Sequence, residues 1–143
     1  PIVPTRLVIA QWKQFCGPNQ PCDDASPVVA IRYSAGVLRI TQDLRGQRTT
    51  LYEHKEDLRN RWLDFRFRIR FTPNATGHIQ AWLGDQKLVE FKGATANPED
   101  VTTGFTNPST FYFKMGLYRD VMPEPMTMYI DEYRKRELRS DEF

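Results

Sequence analysis

From Phe65 to Phe71 the chain reads Phe-Arg-Phe-Arg-Ile-Arg-Phe, an unbroken period of two. Successive side chains of a strand point to opposite faces, so four apolar residues line one side and Arg66, Arg68 and Arg70 the other. A helix would scatter the same residues around its circumference. The segment is therefore a half-buried strand, which needs neighbouring strands for its backbone groups and a second layer for its apolar face. The arginine row reads as a hydrated outer face.

The same period recurs along the chain. In residues 7–15, Val8, Ala10 and Trp12 fall on one side, and Gln11 and Lys13 on the other. Residues 28–33 and 37–42 read as strands around the Ser34-Ala35-Gly36 turn. A turn at Pro73–Gly77 leads to a strand at 78–83, and Gly84-Asp85 leads to another at 87–91. Residues 93–110 read as a long loop, followed by final strands at 110–119 and 125–134. The one helix-like stretch, 53–62, is too short for more than a turn or loop. The expected fold is all-β, an antiparallel jelly roll or concanavalin-like sandwich, with residues 1–143 in a single domain.

Composition narrows the function classes. With 40% hydrophobic and 13% aromatic residues, the chain can bury an ordinary core and is no disordered segment. It has no apolar run near the ~20 residues that span a bilayer, so no membrane partner is expected. A net charge of +2 argues against a dedicated nucleic-acid binder. Arginines nonetheless make up 14 of the 20 basic residues, and Arg suits bidentate recognition of carboxylate or sulfate. Cys16 and Cys22 flank Gly-Pro-Asn-Gln-Pro, which reads as a disulfide-closed turn and so as a secreted or periplasmic protein. Their spacing is not that of a zinc site, and no clustered carboxylates spell a calcium loop. No cofactor is expected, although structural calcium stays open. The chain is expected to act as a monomer.

Two strands have polar faces that look like a site. In 110–119 the apolar set is Phe111, Phe113, Met115 and Leu117, against Tyr112, Lys114, Gly116 and Tyr118. Phenols flanking a lysine and a glycine form a flat, hydrogen-bonding surface on which carbohydrate can lie. If this strand neighboured 7–15, Gln11, Lys13, Lys114 and Tyr118 would converge on one groove, an adjacency that periodicity cannot establish. Arg32 and Arg39 are candidates to line that groove for an acidic chain, weighed against plain solvent faces. His54 reads as a surface loop histidine and His78 as an exposed strand start. Trp12, Trp62 and Trp82 read as core, although Trp82 shares a face with His78 and Gln80 and is a candidate sugar platform.

Gln11-Trp12-Lys13, followed by Tyr112-Phe-Lys-Met-Gly-Leu-Tyr-Arg119, resembles the paired signature of jelly-roll polysaccharide lyases of the alginate, glucuronan and heparin lyase I types. These share Gln-x-His and Tyr-Phe-Lys-x-Gly-x-Tyr. Trp62–Phe65, Gly77–Gly84 and Met128–Arg134 resemble the same family, so the likeness runs in order from about residue 6 to 135. Two departures stand out. Lys13 occupies the place of the family's His, and the Arg-x-Glu-type motif that precedes the Gln-x-His strand is not in the sequence. The resemblance therefore implies that 1–143 is the C-terminal majority of such a domain.

It also implies β-elimination on a uronic acid-containing polysaccharide. The C5 proton is removed and the glycosidic oxygen leaves C4, once cations or hydrogen-bond donors have neutralised the adjacent carboxylate. By this likeness Tyr118 is the catalytic tyrosine, and Gln11 and Lys13 offset the carboxylate charge. A phenol is a weak base at neutral pH unless nearby cations favour its phenolate, a role open to Lys114, Lys13 and Arg119. Lys13 is assigned first to charge neutralisation and second to general base, against the alternative of a solvated lysine in a protein without activity. Lys114, Tyr112, Arg119, Arg32 and Arg39 are the expected substrate-binding residues. Two rival readings are a non-catalytic carbohydrate-binding jelly roll and a β-sandwich glycoside hydrolase, for which no strand offers the necessary carboxylate pair.

Overall fold

Eight antiparallel strands form two sheets in the computed structural model, which describes residues 6–16, 25–99, 110–123 and 125–143. The strands are β1 (Leu7–Gln14), β2 (Val29–Ser34), β3 (Val37–Leu44), β4 (Gln47–His54), β5 (Phe65–Arg70), β6 (His78–Leu83), β7 (Gln86–Lys92) and β8 (Phe111–Arg119). One sheet has the order β4-β3-β2-β1-β8 and the other β5-β6-β7. The fold is the expected all-β sandwich of antiparallel sheets. Cys22 lies outside the described residues, and with it the expected closure to Cys16; so do residues 100–109 of the long loop.

The apolar halves of the alternating strands meet between the sheets, as the period of two requires. Leu7, Ala10, Ile31 and Leu38 form one buried cluster, and Val29, Ile40, Ile79 and Val89 a second. Trp12 bridges the layers, its ring 4.7 Å from both Phe67 and Phe113. A polar latch closes one end of the sandwich. Gln14, 2% exposed, donates from Nε2 to the Asn97 carbonyl (3.0 Å) and accepts from the Asn97 amide (2.8 Å). Gln42 donates to the Ala94 carbonyl in the same way (2.8 Å). The loop after β7 is thus bonded to the five-stranded sheet through the buried amides of Gln14 and Gln42. Gly77 is required there because a Cβ would stand 2.2 Å from the Gly93 carbonyl oxygen.

Three expectations need correction. The sequence reading missed β4, because a mostly exposed edge strand carries no apolar alternation. It is fixed instead by a two-residue turn, Arg45 (φ 53) and Gly46 (φ 74), pairing Leu44 with Gln47. Residues 125–134 form no strand. That segment rests on side chains, with Tyr133 stacked on Phe113 at 5.2 Å and 7°. Trp62, expected in the core, is 70% exposed.

The 3₁₀ turn Ser140–Glu142 lies against β5, where Arg70 and Arg68 donate to the Ser140 and Glu142 carbonyls at 3.2 Å. A cavity of about 2090 Å³ opens between the sheets and the 125–138 segment. Leu7, Ala10, Ile31 and Leu38 line it from the core face of the five-stranded sheet, and Tyr112 reaches it, whereas Gln11, Lys13, Arg32, Lys114 and Tyr118 do not line it.

Candidate active-site groove

The candidate residues lie on the outward face of the five-stranded sheet, and the groove they are expected to line is named for that face. β1 and β8 are hydrogen-bonded neighbours, which the period of two alone left open. Their register sets Gln11 opposite Lys114 and Lys13 opposite Tyr112. Paired residues share a face, so these four project together, with Ala30 of β2 and Thr41 of β3 continuing the Gln11 row. The Lys114 ammonium lies 5.1 Å from the Tyr112 ring centroid.

A β-bulge then changes which residues flank Tyr118. β1 passes from Ala10 to Val8 while β2 advances only from Ile31 to Arg32, so Ile9 is an extra residue. Beyond it Val8 faces the groove with Arg32 and Tyr118, not the core with Ala10 and Trp12 as simple alternation has it. Opposite the bulge, β8 passes Gly116 at φ 151. No atom lies within 4 Å of a Cβ built there, so the glycine serves the backbone conformation and not a lack of room.

The bulge also brings in a residue that sequence reasoning missed. Arg6 lies with its guanidinium carbon 5.3 Å from the Tyr118 ring centroid, and an ion pair to Asp120 at 2.8 Å holds it there. Asp120 in turn donates its amide to the Arg6 carbonyl at 3.1 Å, clamping the start of β1 to the end of β8. Tyr118 itself is 57% exposed.

Arg32 occupies the next position across the sheet. Its Nε donates to Thr41 Oγ1 at 3.1 Å, while Nη2 is buried with no partner. Burial, then the Arg48 charge, lower its pKa to about 10, Asp43 opposes them, and Arg6 adds to the lowering. Arg32 thus remains a cation at neutral pH, crowded by two others and short of a hydrogen-bond acceptor. The buried Asp43 carboxylate is 3.4 Å from Arg48 Nε and offsets part of that charge. Arg39, opposite Arg32, is already engaged by Glu53 at 2.9 Å. Arg6, Thr41, Asp43 and Arg48 were not singled out from sequence: straight counting puts Arg6 on the apolar side, and Asp43 and Arg48 gain meaning only from pairing across β3 and β4.

Other candidates lie elsewhere. Arg119 pairs with Leu7, a core residue, so it is on the reverse face from Tyr118 and does not line the groove. His54 belongs to β4, not a loop; it is half-buried, pairs with Leu38 and bonds Tyr52 Oη at 2.8 Å. Two strands separate it from β1, so it does not stand in for the imidazole absent at Lys13. His78, expected to be exposed, is buried on the outer face of β6 against Glu90 and the Phe143 ring. Among the described residues no three His, Cys, Asp or Glu side chains are grouped as a metal site requires.

Tyr118, under the Arg6 guanidinium, thus shares a sheet face with Gln11, Lys13 and Lys114. The chain matches the family model described as "Polysaccharide lyase" over residues 2–134. It belongs to the polysaccharide lyase family, whose substrates are polysaccharides. No curated protein and no solved structure matches the chain.

Proposed function

We propose that the protein cleaves a uronic acid-containing polysaccharide by β-elimination in the groove on β1, β2 and β8. The observation that carries this reading is the register placing Tyr118, Val8 and Arg32 in one row and Lys114 and Gln11 in the next. The unfilled donor of Arg32 suits the uronate carboxylate, and holding it lowers the cost of charge developing when the C5 proton leaves. Tyr118 enters the step as its phenolate and takes that proton, the C4–O bond breaks as a C4=C5 double bond forms, and the proton then passes to the departing oxygen, which restores the phenolate. The Arg6 guanidinium offsets the negative charge on Tyr118 while its proton is away. Gln11 and Lys114 bind hydroxyls beside the reacting sugar, and Lys13 and Tyr112 the next residue along the chain. Lys13 is therefore a binding and charge-neutralising residue in this reading. The paired cysteines of the sequence support action outside the cytoplasm, in a secreted or periplasmic protein.

Incubation with glucuronan, alginate and heparin, followed by the ultraviolet absorbance of unsaturated uronate, tests the proposal. Absorbance that rises on at least one polymer is expected. A flat trace across the panel with the polymer still bound would select a carbohydrate-binding module instead, a reading favoured by the lysine at position 13.

A further inference from the structure

The outer face of the three-stranded sheet carries a second concentration of charge, remote from the groove. Its register puts Arg66 beside Trp82, Arg68 beside Gln80 and Arg70 beside His78, while β7 adds Lys87 opposite Trp82 and Lys92 opposite His78. The carboxylate that these paired residues contribute is Glu90, already bonded to Lys87, Gln80 and His78. The Trp82 ring is 9% exposed because cations cover it: Arg66, Lys87 and Arg68 lie 4.6, 5.4 and 5.5 Å from its centroid. Arg66 is exposed and has no ion pair among the described residues.

This arrangement selects a ligand class. A guanidinium stacked on a fixed ring loses little freedom on binding, and its in-plane N–H groups suit a carboxylate or sulfate. Arginines two apart on a strand recur about every 7 Å, so a chain with repeated anionic groups can engage more than one. Because Trp82 is covered, it offers no bare platform to a neutral sugar. We propose that the outer face of β5–β7 is a second, non-catalytic binding surface for an acidic polysaccharide, held through its carboxylate or sulfate groups. The choice of polysaccharide rests on the function proposed above; the presence of an anion-binding face does not.

The test uses the full chain in a Tyr118→Phe background, so that no polymer is cleaved. Electrophoresis through gels containing polyglucuronate, dextran sulfate or neutral dextran gives the retention of the parent, of Arg66→Gln with Arg68→Gln, and of a control losing equal charge, Arg134→Gln with Lys135→Gln. The outer-face pair should weaken retention by an anionic polymer roughly tenfold. The control should leave it unchanged, and neutral dextran should retain none of them. Arg66→Gln alone, which touches no backbone carbonyl of the C-terminal turn, should show part of the same loss at unchanged melting temperature. Loss with polyglucuronate assigns carboxylate recognition, and loss with dextran sulfate alone assigns sulfate. Unchanged retention in the outer-face pair overturns the proposal, as does equal retention by double-stranded RNA with the same dependence on Arg66 and Arg68. If the parent sequence cleaves no uronate polymer yet the outer-face pair loses retention, the lyase reading fails and this surface stands.

Discussion

The two sheets each present cations to solvent, but they differ in what those cations have left to give. On the three-stranded sheet Arg66 and Arg68 stack on Trp82, Arg68 and Arg70 donate to backbone carbonyls, and His78 is closed off by Glu90. On the five-stranded sheet Arg32 is buried with an unfilled donor, and Tyr118 stands exposed under a guanidinium. Positive charge alone therefore marks a sticky surface. A reactive one also needs unspent hydrogen-bonding capacity and a group that can carry a proton. The five-stranded sheet offers both on one face; on the outer face Arg66 keeps donors to spare, but the paired residues there include no exposed tyrosine under a guanidinium.

The sharpest way to break this contrast is Tyr118→Phe, which removes the proton carrier and leaves the ring and its Arg6 contact. We expect a fall of roughly a thousandfold in kcat on the best uronate polymer, with affinity changed less than about twofold. Near-normal turnover in this variant would assign the chemistry to another residue.

Arg32→Leu comes next in size and tests the unspent donor. Burying a crowded, half-paired cation costs stability, so a shorter apolar side chain in its place should leave the melting temperature equal or higher. Activity should fall roughly a hundredfold through loss of carboxylate binding. A marked loss of stability with activity intact would make Arg32 a structural residue.

The smallest effect is expected on the other sheet. Hydrogen bonds from Lys87, then Gln80 and His78, lower the Glu90 pKa from 4.5 to about 2. A folded-state pKa below the unfolded one gives stability that is full above about 4.5 and is lost as pH falls through about 2. Glu90→Gln should therefore lower the melting temperature modestly at neutral pH, with the two proteins converging as the medium is acidified. A gap that persists at pH ~2 would mean that the side chain matters by packing and not by charge. Activity in the groove should not change.

Where a strand buries one face, the fold was legible. Phe65–Phe71 and Phe111–Tyr118 expose their period directly, which fixes the face of each side chain but not which strand lies alongside. β4 was illegible because nothing on it is buried deeply enough to leave an apolar pattern. The 125–134 segment gave the opposite error: it carries enough apolar and aromatic residues to imitate a strand, yet it is held by the Tyr133–Phe113 stack and not by a ladder. In the groove, Gln11, Lys13, Lys114 and Tyr118 were accessible because alternation within each strand fixes their face. Arg6 was not, since its side depends on an irregularity that composition does not reveal, and Arg119 was misplaced by its nearness in sequence to Tyr118.

That irregularity makes the groove sensitive to chain length in a way that it is not sensitive to side-chain identity. Ile9 could be exchanged for another apolar residue with little consequence, because what it contributes is one place in the count. Deleting it would turn every position upstream through half a pleat. Arg6 would swing away from Tyr118, and Leu7 would leave the core for solvent. Single-residue insertions and deletions before Gln11 should thus be purged by selection far more strictly than substitutions there, and a comparison of natural variants should find the distance from the arginine to the Gln-x-Lys triplet invariant.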